Sequence, residues 1–163
     1  MAVGGIFRPG MRGYVIPLVA GVVLAASAFL PWVHVDDIAI TGVPETTALW
    51  VVGLGLVASL LALLSLITRK NSRHPLLLAG LVALGLMFLS WRLMPRAVAD
   101  RALMRSQAIA IVDDLPLEGV PVVTTGIGIY LGLLASAAIV AFGLTIVLRR
   151  AVRPYVAPVD DDV

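Results

Sequence analysis

Cysteine is absent from the 163 residues, which excludes disulfides, thiolate metal sites and thiol redox chemistry. Charge is scarce as well. Asp, Glu, Lys and Arg make up 13% of the chain, against roughly 25% in an ordinary soluble domain. Lysine occurs once, as Lys70, and the other eleven basic residues are arginine; with abundant Ala, Val, Leu and Gly, that usage hints at a GC-rich bacterial genome. The scarcity matters most inside the long apolar runs, whose hydrocarbon-depth positions hold no Asp, Glu, Lys, Arg or His. Intramembrane ionisable residues mark proton relays and ion pathways, so a pump or a proton-coupled transporter is not expected. A Gly-rich phosphate loop, a nucleophile elbow and an HExxH pair are missing too. No enzyme activity, no catalytic residue and no cofactor are expected. The two histidines, His34 and His74, fall at opposite membrane faces and cannot jointly ligate a haem iron or a metal.

What the chain does have is apolar residues, 60% of the total, with a mean hydropathy of +1.03. A helix needs about 20 mainly apolar residues to cross the hydrocarbon core, and four such runs follow one another. The first extends from Tyr14 to about Val35, with Pro17 in its first turn, where a missing N–H costs nothing. Pro31 and Trp32 mark its exit, with the Trp expected at interface depth. Ala26-Ser27-Ala28 has the look of a signal-peptidase site, but the apolar run continues past it, so cleavage is not expected. The second helix is expected over Thr46 to Thr68, the third from Pro75 to near Trp91-Arg92, and the fourth from Thr125 to Leu148. Pro95 should end or kink the third helix near Leu93-Met94.

Lys and Arg set the topology. Arg8, Arg12, Arg69, Lys70, Arg73, Arg149, Arg150 and Arg153 collect on one side, and only Arg92, Arg96, Arg101 and Arg105 on the other, with most of the acids. The positive-inside rule places both termini in the cytoplasm of a multi-pass protein of the bacterial inner membrane. The high pI, about 9.5, reflects that arrangement rather than a nucleic-acid surface.

One stretch occurs twice: Val35-Asp36-Asp37-Ile38-Ala39-Ile40-Thr41-Gly42-Val43-Pro44 and Val112-Asp113-Asp114-Leu115-Pro116-Leu117-Glu118-Gly119-Val120-Pro121. A shift of 77 residues aligns Val35–Ser59 with Val112–Ser136 at 12 of 25 positions, seven of them Asp, Gly, Pro, Thr or Ser. A shift of 59 pairs helix 1 with helix 3, matching Gly21 with Gly80, Phe29 with Phe88 and Trp32 with Trp91. The difference between the shifts measures an 18-residue insertion between Trp91 and Val112. The reading is an all-α membrane protein: a four-helix transmembrane bundle of two tandem helix–loop–helix repeats. Repeat one covers about 14–69, and repeat two about 73–148 with an inserted segment at about 93–111. A cytoplasmic tail, 149–163, completes a single membrane domain.

Both halves start inside, so a pseudo-twofold along the membrane normal is expected. Gly55-xxx-Ser59 and Gly132-xxx-Ser136, with Gly128 one step earlier, are small-xxx-small patterns that let helix backbones approach in lipid. They predict packing of helix 2 against helix 4 near the axis. The VDD–GVP motif is punctuated by Gly and Pro and is not expected to be helical, while Ile38-Ala39-Ile40-Thr41 suits a short strand. Strands from the two copies are expected to pair in a small extracytoplasmic cap. The inserted segment is expected to be one extra helix, with Val98, Ala99, Ala102, Leu103, Ser106, Ile109 and Ala110 on a charge-free face and Arg96, Asp100, Arg101, Arg105 and Gln107 opposite. Four carboxylates, Asp36, Asp37, Asp113 and Asp114, could bind Ca²⁺. Without EF-hand-like spacing, the favoured reading is that they hydrate the helix boundary and start a turn.

Leu30-Pro31-Trp32-Val33 ending helix 1, the basic turn at 69–73 and the Arg/Ala-rich helix after helix 3 resemble the small four-helix membrane proteins of actinobacteria, including the group associated with tryptophan-operon regions. The resemblance implies the layout and no defined activity. The VDD–GVP duplication lies outside it. The expected role is an accessory or structural subunit of a larger inner-membrane complex, with membrane lipids and membrane-protein partners and no nucleic acid. The alternatives are a homo-oligomeric channel or small-molecule/lipid-binding membrane protein, and an envelope module whose cap holds Ca²⁺ or a small ligand.

Overall fold

A computed structural model describes residues 12–68, 73–113 and 122–151. After a short 3-10 turn (Arg12–Tyr14) come α1 (Val15–Ser27), strands β1 (Pro31–Val35) and β2 (Ile38–Thr41), and helices α2 (Thr46–Thr68) and α3 (Arg73–Asp113). Strand β3 (Val123–Thr125) and helix α4 (Ile127–Ala151) follow. Helices α2, α3 and α4 are each long and apolar enough to cross a membrane.

The expected first span is shorter than the sequence implies. Instead of reaching Val35, α1 stops at Ser27 after 13 residues, about 20 Å at 1.5 Å per residue. Pro31 has no N–H to give and pushes Leu30 away from helical geometry, and the Pro31–Val35 segment that follows pairs as a strand. The side chain of Trp32 is not turned toward lipid. It is fully buried, and its indole N–H donates to the carbonyl of Ser27 at 2.8 Å.

The matched segment in the second half behaves in the opposite way. Phe88-Leu89-Ser90-Trp91 has Ser where the first copy has Pro31, and the chain stays helical. Pro95 does not end the third helix: α3 runs as one helix of 41 residues with Pro95 inside it. Its length, about 60 Å, is twice the ~30 Å hydrocarbon core, so its second half overhangs the bundle. Val112 and Asp113, the start of the second VDD copy, form the last turn of this helix. The rest of that copy, from Asp114 to Pro121, lies outside the described residues.

The extensive helix contacts link α1 with α2, α3 with α4, α1 with α4, and α2 with α3. The helices therefore form a ring in chain order, and the expected pairing of helix 2 with helix 4 gives way to a diagonal placement. The seam of α2 is small: Ala48, Val51, Gly55, Ala58, Ala62 and Ser65 face inward, while Leu49, Trp50, Leu56, Leu60, Leu64 and Ile67 point out. This inverts the soluble pattern. It suits lipid, where tails solvate leucine as well as a protein core does and close backbone packing drives association.

The sheet has the order β2-β1-β3. Strand β1 pairs antiparallel with β2, Val35 opposite Ile38, and with β3, Val35 opposite Val123. The expected strand at Ile38–Thr41 is present. Among the described residues the link between halves runs through β1 and β3; the strand expected from the second copy of the motif falls outside them. The core gathers where the helices meet this sheet, around Leu24, Trp32, Val33, Met87, Ile129 and Ile139, all fully buried.

Candidate functional site

Close contact places each small residue singled out in the sequence, but against other neighbours. A side chain at Gly55 would meet the carbonyl of Gly21 at 2.6 Å and the amide of Ala25 at 2.7 Å, so α1 and α2 touch backbone to backbone. Ser59 donates to the carbonyl of Leu18 at 3.3 Å across the same contact. Gly128 lies under Trp32 and the carbonyl of Ser27, and Gly132 against Met87 of α3 and the hydroxyl of Ser27. Ser136 is fully buried, with its hydroxyl donating to the carbonyl of Leu133.

The other buried serine hydroxyls among the described residues are satisfied in the same local way. Ser27 donates to the carbonyl of Leu24, Ser65 to that of Leu61, and Ser90 to that of Leu86, at 2.7 to 2.9 Å. Each hydroxyl returns to its own helix, so none is left as a donor aimed into a conduit.

The carboxylates of the first VDD copy close a hairpin. Asp36 and Asp37 are the two residues between β1 and β2, and Asp36 has φ of 49°, a left-handed conformation that Asp tolerates better than most residues. Asp36 is also held by the second half of the chain. Its N–H donates to the carbonyl of Val122 at 2.9 Å, and its Oδ1 accepts from the N–H of Val122 at 3.0 Å. Asp37 is exposed. Asp113 ends α3, and Asp114 lies outside the described residues, so the four carboxylates are not seen to converge. Among the described residues no group of three or more His, Asp or Glu is placed to hold a metal ion. His34 lies in β1, beside Ala39 and Thr124, and His74 is exposed at the start of α3, at the far end of the bundle.

Two adjoining concavities lie along α3, beneath its overhang. A hollow of about 230 Å³ is lined by Trp32, Thr47, Leu86, Leu89, Ser90 and Leu93, among others. A larger one, about 580 Å³, lies between the hairpin (Val35, Asp36, Ile38, Ile40) and α3 (Ala102, Arg105, Ser106, Ile109). Both are also lined by Glu45, Met94, Val98 and Arg101, so they form one groove. Arg101 reaches Glu45 at 3.6 Å, with both side chains more than half exposed, an ion pair worth about 0.2–1 kcal/mol. Of the expected charge-free face, Val98, Ala99, Ala102, Leu103, Ser106 and Ala110 are half-buried, and Ile109 is more exposed. Arg101 and Arg105, assigned in the sequence to the outward face, instead line the groove. Their four-residue spacing, which puts both on one side of a helix, was the available signal.

No protein-family model, no curated protein and no solved structure matches the chain. The class is set by the fold itself: a mostly helical chain with three helices fit to cross a membrane and a small three-stranded sheet.

Proposed function

We propose that the protein is an accessory or structural subunit of a larger membrane complex in the bacterial inner membrane. It acts by helix packing and through its extracytoplasmic layer rather than by catalysis. The observation that carries this reading is the exposed apolar surface beyond the span. Met104, Ile111 and Val112 on the overhanging part of α3, with Ile38 on the hairpin and Val122 before β3, are 64–82% exposed. Lipid accounts for exposed leucines on α2, but α3 spends about 20 residues on the bilayer and carries these side chains beyond it. Apolar groups left in water at that height suit a protein partner.

The self-bonded serines favour this reading over a channel, because a conduit needs polar groups turned toward water. Both termini are assigned to the cytoplasm and the sheet to the outside, on the distribution of arginine between the two ends. In this reading the two halves are tandem repeats of one helix–loop–helix unit, diverged where the hairpin faces the overhang. Purification from native membranes in mild detergent should recover the chain with a stoichiometric membrane-protein partner, and Ile111→Asp together with Val112→Ser should release it. A monodisperse particle holding this chain alone would overturn the reading.

A further inference from the structure

We infer that the groove under α3 is a binding site for an anionic phospholipid of the surrounding membrane, one acyl chain lying in its lower part and the phosphate reaching the arginines above. The lower hollow is walled by Leu86, Leu89 and Leu93, within the apolar span of α3. An apolar trough opening sideways at that depth faces lipid tails, and an acyl chain covers it without exposing a polar group. Arg101 lines the top of this hollow and also the upper one, and Arg105 joins the upper lining about three turns past Leu93, where Asp36 and Glu45 lie as well.

The spacing matches a lipid lying lengthwise. Leu89 and Arg101 are twelve positions apart, about 18 Å along a helix. One leaflet with its headgroup layer is about 20–22 Å deep. Guanidinium suits phosphate because its planar fork of N–H donors matches phosphate oxygens. Arg101 has an exposed partner in Glu45, which a headgroup can displace at small cost, and Arg105 has no ion pair among the described residues. Arg96 is exposed on the same helix but outside the lining of either hollow, so general attraction to an anionic surface can be separated from binding in the groove.

The test uses the full chain, stripped in detergent and titrated with phosphatidylglycerol or phosphatidylcholine, with bound lipid counted by native mass spectrometry. Wild type is expected to retain one phosphatidylglycerol in preference to phosphatidylcholine. Arg101→Gln and Arg105→Gln should each lower that preference about fivefold, the ordinary worth of one basic side chain at an anionic headgroup, while Arg96→Gln leaves it near wild type. Val98→Trp, which fills the waist of the groove, should reduce retention of both lipids; an unchanged helical circular-dichroism signal shows that the variants fold. The inference is overturned if wild type has no headgroup preference, or if Arg96→Gln costs as much as Arg105→Gln, which would leave surface attraction only. A co-purifying polypeptide that phosphatidylglycerol fails to displace from the groove would also overturn it. These outcomes are independent of whether a partner subunit binds elsewhere.

Discussion

At the scale of single residues, glycine does the most to bring the helices together. Gly21 and Gly55 face each other, and a side chain added at either would run into the opposing backbone at 2.6–2.8 Å. Backbone cannot swing aside as a flexible side chain can, so α1 and α2 would have to separate along their length. Gly55→Val should destabilise the folded bundle by about 1–3 kcal/mol, the usual cost of overpacking. Gly53, two positions away, has open space around a built Cβ, and Gly53→Ala should be neutral or slightly stabilising on helix propensity. Thermal unfolding in one detergent, read by circular dichroism, compares the two. Equal losses would mean that the close approach of α1 and α2 contributes nothing. Trp32 shows the same dependence on neighbours: a residue type common at lipid interfaces is buried here because the Ser27 carbonyl is within reach of its indole N–H.

At the scale of elements, one proline decides how the two matched halves differ. Pro31 ends α1 and hands its apolar residues to a hairpin, while Ser90 at the matched position leaves α3 free to continue past Pro95 to Asp113. The hairpin then needs an anchor, and Asp36 supplies one by its two hydrogen bonds to Val122, 86 positions away. Asp36→Ala removes the carboxylate acceptor and leaves a β-carbon in a left-handed conformation, each at about 1 kcal/mol. Asp36→Asn keeps an acceptor oxygen and a side chain that tolerates this conformation. Amide exchange at Val122 and along β3 should therefore speed up severalfold in Asp36→Ala and stay near wild type in Asp36→Asn. If both variants exchange at the wild-type rate, the link between hairpin and β3 does not depend on the carboxylate.

At the scale of the whole molecule, the asymmetry between the two ends of the bundle has a direct readout. The chain has no cysteine, so single introduced thiols report without background. With the sheet outside, a membrane-impermeant maleimide added to intact cells should label Asp37→Cys. His74→Cys, at the opposite end of the bundle, should label only after the membrane is opened. The reverse pattern would invert the assigned topology and move the exposed apolar surface of α3 to the cytoplasm.

The sequence by itself determined the elements whose cause is local. Twenty-three consecutive apolar or small residues between Thr46 and Thr68 form a helix over that range, and the Ile38–Thr41 strand and the charge-free face of the inserted helix follow from β-branching and from the 3.6-residue period. It also determined that Gly55, Gly128 and Gly132 would lie against other segments, because glycine at such spacing removes the side chains that hold helix backbones apart. Which segment each would meet was decided only in three dimensions. Gly55 packs on α1, and Gly132 packs on α3 and α1, because four helices in a ring place α2 and α4 on a diagonal. The passage of α3 through Pro95 was hidden for a related reason: a proline removes one hydrogen bond, while α3 also packs against β1 and β3, contacts that no local pattern shows. The groove was least legible of all. Its walls come from residues some 70 positions apart, and Arg101 and Arg105 line it only because the hairpin folds back beneath the overhang, a placement that no local pattern encodes.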